Sequence, residues 1–256
     1  MILQYKEYGL PKDPTVFFLH GLLGSSSNWN TLCKKLSRGG LHCIAVDLRN
    51  HGLSPHRDKM TYPLMAEDVT ALADSLGIEV FSLVGHSLGG KVAMEIALEA
   101  PNRVDKLLVI DIAPVAYEWA LPDYITALKK VDVSKVEKRS NVEFQLKQYL
   151  QDEVVVSFLL TNLRKTSDGD FYWRVNLDSI IENFTNVGEA LQAARVFDGA
   201  VLFIKGSDSD FIKNSYLMSM KELFPSYKVS VVEGSGHWVS YEKPEEFTRL
   251  VTDFLL

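Results

Sequence analysis

Only two cysteines, Cys33 and Cys43, occur in 256 residues, with no CxxC pair and no Cys/His ligand spacing around them. That excludes a disulfide framework and a zinc site, and such thiols are expected to be reduced and packed inside the protein. No run approaches the ~18 apolar residues of a membrane span, and Lys6 and Glu7 interrupt the N-terminus before a signal-peptide apolar core could form. Basic clusters are missing too. Lys and Arg total 27 against 33 Asp and Glu, for a formal charge of −6, which argues against a nucleic-acid surface or a polybasic membrane anchor. There is no internal repeat and no Gly/Ser linker. What remains, 46% hydrophobic and 23% charged residues, is the composition of a soluble globular protein. The expectation is a cytoplasmic chain whose partner is a small molecule, with no nucleic acid and no membrane span.

The first half alternates short β-branched or aromatic runs with segments of helical period. Thr15-Val16-Phe17-Phe18-Leu19, Cys43-Ile44-Ala45-Val46, Val80-Phe81-Ser82-Leu83-Val84 and Leu107-Leu108-Val109-Ile110 are continuously apolar, as strands buried on both faces of a parallel sheet must be. Helices are predicted near 28–37, 62–76 and 88–100, in the last of which Val92, Ala93, Ile96 and Ala97 share a face. The pattern resumes with Val201-Leu202-Phe203-Ile204, a helix near 214–223, Val229-Ser230-Val231-Val232 and a final helix from about Pro244. This is βαβ architecture with helices on both faces. Between Val115 and Val187 the strands vanish, and Trp119, Tyr124, Phe144, Tyr149, Phe158, Phe171 and Trp173 accumulate among charges at helical spacing. We read 115–187 as an inserted helical cap, and 1–114 with 188–256 as the core.

Gly85-His86-Ser87-Leu88-Gly89 is a G-x-S-x-G that follows an apolar strand and opens a helix, the context of a nucleophile elbow in which a strained turn exposes the serine. The same stretch nearly matches a phosphate-binding loop through Gly85, Gly90 and Lys91, with Asp111 ending an apolar strand. It fails at Val92, where a magnesium-binding hydroxyl would be needed. Serine needs a base, and Gly234-Ser235-Gly236-His237-Trp238 places His237 in a Gly-rich loop directly after a strand, on the elbow's side of the sheet. His42 and His56 read as surface residues, His86 as a variable position of the elbow, and His51 as a loop-ordering residue. His20-Gly21-Leu22-Leu23-Gly24 follows the first apolar strand, so Leu22 N–H and Leu88 N–H are candidate oxyanion donors.

Taken together, His20-Gly21, Asp47-x-Arg49-x-His51-Gly52-x-Ser54, the Ser87 elbow, Asp111-Ile112-Ala113-Pro114 and Gly236-His237-Trp238 resemble the α/β-hydrolase superfamily. The similarity is greatest to the small YbfF-type bacterial esterases and their mitochondrial abhydrolase relatives. The resemblance implies an eight-stranded, mostly parallel sheet flanked by helices with a helical cap, no cofactor, and hydrolysis of esters or thioesters; no metal is expected, since no ligand spacing is present. It leaves the triad acid open. Many superfamily members carry it in a G-x-x-Asp pattern after the penultimate strand, and counting from Gly206 lands on Ser209. Asp208 and Asp210 flank that slot, whereas Asp111 ends the strand after the elbow, the acid position of some members. Asp111 is preferred, with Asp208 and Asp210 as alternatives. The expected activity is a carboxylesterase or thioesterase with Ser87 as nucleophile, His237 as base and small to medium acyl chains as substrates. Its rivals are a carbon–carbon hydrolase or lyase of the same fold, and a non-catalytic binder of a small ligand. Trp119 is the cap residue singled out for the acyl pocket.

Overall fold

The computed structural model describes residues 1–118, 121–192 and 195–256, so Trp119 lies outside the described residues. Up to the elbow helix, β1 (Tyr5–Tyr8), β2 (Thr15–Leu19), α1 (Asn30–Arg38), β3 (His42–Val46), α2 (Tyr62–Ser75), β4 (Phe81–His86) and α3 (Leu88–Glu99) succeed one another. Then come β5 (Val104–Ile110), α4 (Asp123–Lys130), α5 (Arg139–Lys147), α6 (Glu153–Leu160), β6 (Leu163–Lys165), β7 (Phe171–Trp173), α7 (Leu177–Glu182) and α8 (Phe184–Gly188). The chain closes with β8 (Ala200–Gly206), α9 (Leu217–Leu223), β9 (Tyr227–Val232), α10 (Val239–Glu242) and α11 (Pro244–Leu255).

The main sheet has seven strands in the order β1-β3-β2-β4-β5-β8-β9, and only the β1–β3 pair is antiparallel. The continuous apolar runs acquire their meaning from the two-residue period of a strand. Phe17, Leu19, Ile44, Val46, Leu83 and Val109 face a core shared with α2 and α3. Their neighbours Val16, Phe18, Ala45, Val84, Leu108 and Ile110 face a second core against α1 and α11. The central strands sandwiched in this way have no solvated face, so no polar alternation is left in their sequence.

Three expectations are corrected. The sheet has seven strands, not eight, because the residues before Tyr5 are committed elsewhere: Leu3 is 1% exposed, Asp47 N–H donates to Gln4 O at 2.8 Å, and Gln4 N–H donates to Ser54 Oγ at 2.8 Å. The 115–187 insertion is not purely helical, since β6 and β7 pair as a small antiparallel sheet. His42 is buried, not surface-lying, with its ring nitrogens bonded to Thr15 Oγ1 at 3.0 Å and Glu7 Oε1 at 2.8 Å.

Topology decides where a site can form. From β2 the chain crosses to β3 on one side; β4, β5, β8 and β9 then build out the other. The winding direction switches between β2 and β4, and the crevice beyond their carboxyl ends is where such sheets bind ligands. Both Gly-rich turns singled out in the sequence lie there.

Candidate active site

Ser87 sits between the end of β4 and the start of α3 with φ +51° and ψ −115°, a left-handed backbone unusual for a residue with a Cβ. Its N–H is tied to Ile110 O at 3.0 Å, and Ser87 O accepts from Lys91 N–H at 3.1 Å. The flanking glycines are a packing requirement. A Cβ on Gly85 would lie 2.2 Å from Gly89 O, and one on Gly89 would lie 2.3 Å from Leu19 O. Leu88, as the first helical residue, has an N–H with no intrahelical partner, and the helix dipole adds positive potential there.

The loop after β2 supplies the second candidate donor. His20 Nδ1–H donates to Gly21 O at 2.8 Å, while its Nε2 accepts from Leu48 N–H at 3.0 Å. Gly24 N–H also reaches Gly21 O, at 3.0 Å. In a planar trans peptide the N–H points opposite to the C=O, so fixing the Gly21 carbonyl from two donors fixes the Leu22 N–H in the other direction. Burial lowers the His20 pKa, keeping the ring neutral so that Nε2 can accept.

Distance separates the three candidate carboxylates. Asp111 is fully buried and its Oδ2 accepts from His237 Nδ1 at 2.8 Å, while Oδ1 accepts Gly206 N–H at 3.2 Å. Asp111 is itself at φ +50°, pinned by its N–H on Ile204 O at 2.8 Å. Asp208 and Asp210 are exposed, and Asp210 pairs with Lys213 at 3.7 Å. Ser209, in the expected acid slot, points its hydroxyl at Asp111 Oδ2.

The imidazole of His237 lies between two rings, stacked on Phe211 at 3.9 Å and 20° and near His86 at 4.8 Å and 40°. His86 Nε2–H donates to His237 O at 2.9 Å; burial first, and the neighbouring His237 second, push His86 down to about 3. With Nδ1–H given to Asp111, His237 turns its Nε2 lone pair elsewhere, and its side chain is 24% exposed. A cavity of about 800 Å³ is lined by Ser87, His237, Leu22 and Leu88 on one side and by cap residues such as Tyr124, Phe158 and Phe184 on the other. Of its described lining residues none is Lys or Arg, and Glu118 is the single acid.

The Asp47–Ser54 motif holds the frame. Asp47 accepts from Ser26 N–H at 2.6 Å and Leu53 N–H at 2.8 Å, and a Cβ at Gly52 would lie 2.0 Å from the Asp47 carboxyl carbon. Arg49 Nε binds Asp68 at 2.6 Å, and His51 Nδ1–H donates to Arg49 O at 2.8 Å. His51 therefore orders the loop, as expected. Sequence reasoning missed Phe211, the clamping role of His86 and the link from Ser209 to Asp111. Only Ser209 left a signal, as the residue standing where an acid was expected.

Among the described residues no helix is long and apolar enough to cross a membrane. A sequence model described as the alpha/beta hydrolase fold matches residues 14–244. The mouse protein named sn-1-specific diacylglycerol lipase ABHD11 is 37% identical over 94% of this chain and 81% of its own length. Esterase YbfF of Escherichia coli K12 is 34% identical over 94% of this chain and 92% of its own length. A solved structure titled "Marine microorganism esterase" superposes with a TM-score of 0.95 at 35% identity, covering 99% of both chains.

Proposed function

Because this chain belongs to the α/β hydrolase family and is a serine carboxylesterase, we propose that it works through an acyl-enzyme on Ser87, with His237 as base and Asp111 as the acid that orients it. The observation that carries this reading is the 2.8 Å bond from His237 Nδ1 to the buried Asp111 carboxylate, at the wall of a cavity that Ser87 shares. Asp111 selects the tautomer whose Nε2 can accept a proton. Ser87 Oγ attacks the ester carbonyl carbon as its proton passes to His237 Nε2. The oxyanion is received by the N–H groups of Leu22 and Leu88, one fixed by the Gly21 peptide and the other at a helix N-terminus. Collapse breaks the carbon–oxygen bond to the alcohol, which leaves with the proton from His237. Water, deprotonated by His237, then attacks the acyl-enzyme, and the carboxylic acid departs from a regenerated serine.

The cavity argues for the substrate's chemistry. With Glu118 as its single charged lining group and no Lys or Arg, it suits a neutral ester with an apolar acyl chain. A coenzyme A thioester, whose phosphates call for basic partners, fits it less well. The carbon–carbon hydrolase and silent-binder readings gain no specific support. We assign residues 115–187 to the cap and the remainder to the core, and a cytoplasmic location accords with two buried free thiols. A fluorophosphonate probe should label Ser87 stoichiometrically, with the adduct located by peptide mass spectrometry. Full retention of esterase activity in a protein whose Ser87 is labelled would sink the mechanism.

A further inference from the structure

Glu118 is the single carboxylate that lines the cavity, and neither the steps above nor the apolar walls around it give it a task. It is exposed, and among the described residues no Lys, Arg or His pairs with it. Its place in the wall is nevertheless fixed from the residue before it. Tyr117 donates its N–H to Gly188 O at 2.7 Å, and its hydroxyl accepts from Ala113 N–H at 2.8 Å and donates to Phe211 O at 2.5 Å. The carboxylate therefore starts from a backbone tied to both the core and the far end of the insertion. Resting on the acyl-enzyme reading above, we propose that Glu118 is a specificity-determining residue that sorts esters by charge: it favours a substrate whose end remote from the ester bond carries an alkylammonium group and disfavours one whose end carries a carboxylate.

Nothing positive in the cavity offsets this charge. No Lys or Arg lines it. His20 and His86, which do, are both kept neutral by burial. His237 gives Nδ1–H to Asp111 at 2.8 Å, so the charge it gains during turnover is balanced at the reacting end and not at the remote one. The walls also suit a cation. Tyr124, Phe158, Trp238 and Tyr241 line the same cavity, and aromatic faces attract alkylammonium groups through their quadrupoles. An unpaired carboxylate in an aromatic-walled cavity is a chemistry that holds a quaternary ammonium and repels an anion. Unit charges ~8 Å apart at an effective dielectric constant of ~40 change a rate ratio by about fivefold.

The test compares kcat/KM for three p-nitrophenyl esters of matched length: the hexanoate, the adipate half-ester and a trimethylammonio-pentanoate. A second set, choline butyrate against its neutral carbon isostere dimethylbutyl butyrate, puts the charge on the alcohol side. Wild type should prefer the cationic to the anionic p-nitrophenyl ester, or choline butyrate to its isostere, by at least about fivefold, and Glu118→Gln should remove most of that preference. Glu118→Asp, which keeps the charge, should retain the order, and Glu118→Lys should invert it. A shift in either set supports the proposal and names the end of the substrate that meets Glu118. Raising the salt from about 0.05 M to about 0.5 M should weaken the wild-type preference; a preference indifferent to salt overturns the proposal without any variant. Equal ratios in wild type and Glu118→Gln across both sets also overturn it. So does an equal shift in Glu137→Gln, which removes an exposed cap acid outside the cavity lining and so reports on net charge alone. Hydrolysis of all the esters by Ser87→Ala would instead strike the acyl-enzyme reading, whatever the ratios, so the two failures are distinguishable.

Discussion

The two walls of the cavity are built by different means. On the core side, Leu23, Ser87 and Asp111 sit at φ +61°, +51° and +50°, each at the end of a strand or one turn beyond, and backbone bonds to the neighbouring strands hold Ser87 and Asp111. On the cap side, helices of five to nine residues, α4 to α8, present Tyr124, Phe158 and Phe184 and carry no such strain. The cap is moored by polar contacts: Asn50 Nδ2 on Ser179 Oγ at 3.0 Å, Met60 N–H on Asn183 Oδ1 at 3.0 Å, and Tyr62 OH on Val187 O at 2.6 Å. Strain of about 1–3 kcal/mol per residue persists only where the surroundings over-determine it. The buried parallel sheet can do that, whereas a short-helix cap cannot. Under the proposed mechanism, chemistry belongs to the core wall and substrate choice to the cap wall.

The sharpest test of that division is Ser87→Ala. It should cost on the order of 10⁴-fold or more in kcat while leaving the urea midpoint unchanged, since the hydroxyl faces a cavity. Residual turnover within tenfold of wild type would put the nucleophile elsewhere.

Acid should find the core before the cap. His51 is pushed down to about 3, by burial first and the nearby His20 second. Its folded pKa lies below the unfolded value, so unfolding takes up a proton between about pH 6.5 and 3, and stability falls as pH falls through that window. At pH 5 the loss is about 2 kcal/mol for this one group. Urea melts at pH 7 and pH 5 should differ by at least that much, and His51→Gln should narrow the gap; an equal gap in both proteins would exclude His51 as the source.

Lys91 ties the walls together, so its removal should loosen the cap without touching the chemistry. It lies on α3 with Nζ donating to Val115 O at 2.9 Å and Glu189 O at 2.5 Å, carbonyls at the two ends of the insertion. The rings of Tyr62 and Tyr117 are 5.2 Å and 4.8 Å away. Burial lowers the ammonium to about 7, with Glu189 opposing. Lys91→Met leaves two partly buried carbonyls without their donor, a penalty of at most roughly 1–3 kcal/mol each. We expect KM to rise about fivefold to tenfold with kcat within a factor of two. A fall in kcat at constant KM would mean that α3 itself, and so the elbow, had moved.

Cap aromatics should then govern which ester is taken. Phe158 of α6 meets Trp238, the residue after His237, at a ring separation of 6.0 Å. Phe158→Ala should change the ratio of kcat/KM for decanoate over butyrate p-nitrophenyl esters by about threefold to tenfold, the scale of a few methylene contacts. An unchanged ratio would place the chain-length determinant elsewhere in the cavity.

The same division explains what was legible beforehand. Core strands such as Thr15–Leu19 and the elbow announced themselves because sandwiched strands must be continuously apolar and a tight turn must be glycine-flanked. β1 was missed because Tyr5-Lys6-Glu7-Tyr8 is a half-exposed edge without the apolar run of a central strand. β6 and β7 were missed because three residues each carry no period. His42 was misplaced because its partners Thr15 and Glu7 lie far from it in sequence. The acid stayed open because a one-residue offset between Asp208, Ser209 and Asp210 is a matter of backbone direction, and positive φ at Asp111 has no composition signature.

The smallest expected effect closes that last ambiguity. Asp210 is 92% exposed on its side chain and pairs loosely with Lys213, and Asp208 accepts a bond from Ser207 Oγ at 2.9 Å on the exposed surface. Exposed ion pairs and carboxylates of this kind contribute about 0–1 kcal/mol. Asp208→Asn and Asp210→Asn should therefore leave kcat/KM on one activated ester within a factor of two of wild type. The two variants are also the fairest challenge to the core wall, because both sit within two residues of Ser209 on the loop that touches Asp111. If Asp208→Asn lowers the rate by the ~10⁴-fold expected of a triad acid, the loop after β8 must rearrange in solution to bring that carboxylate to His237. The strained end of β5 would then be a support for the acid instead of its source.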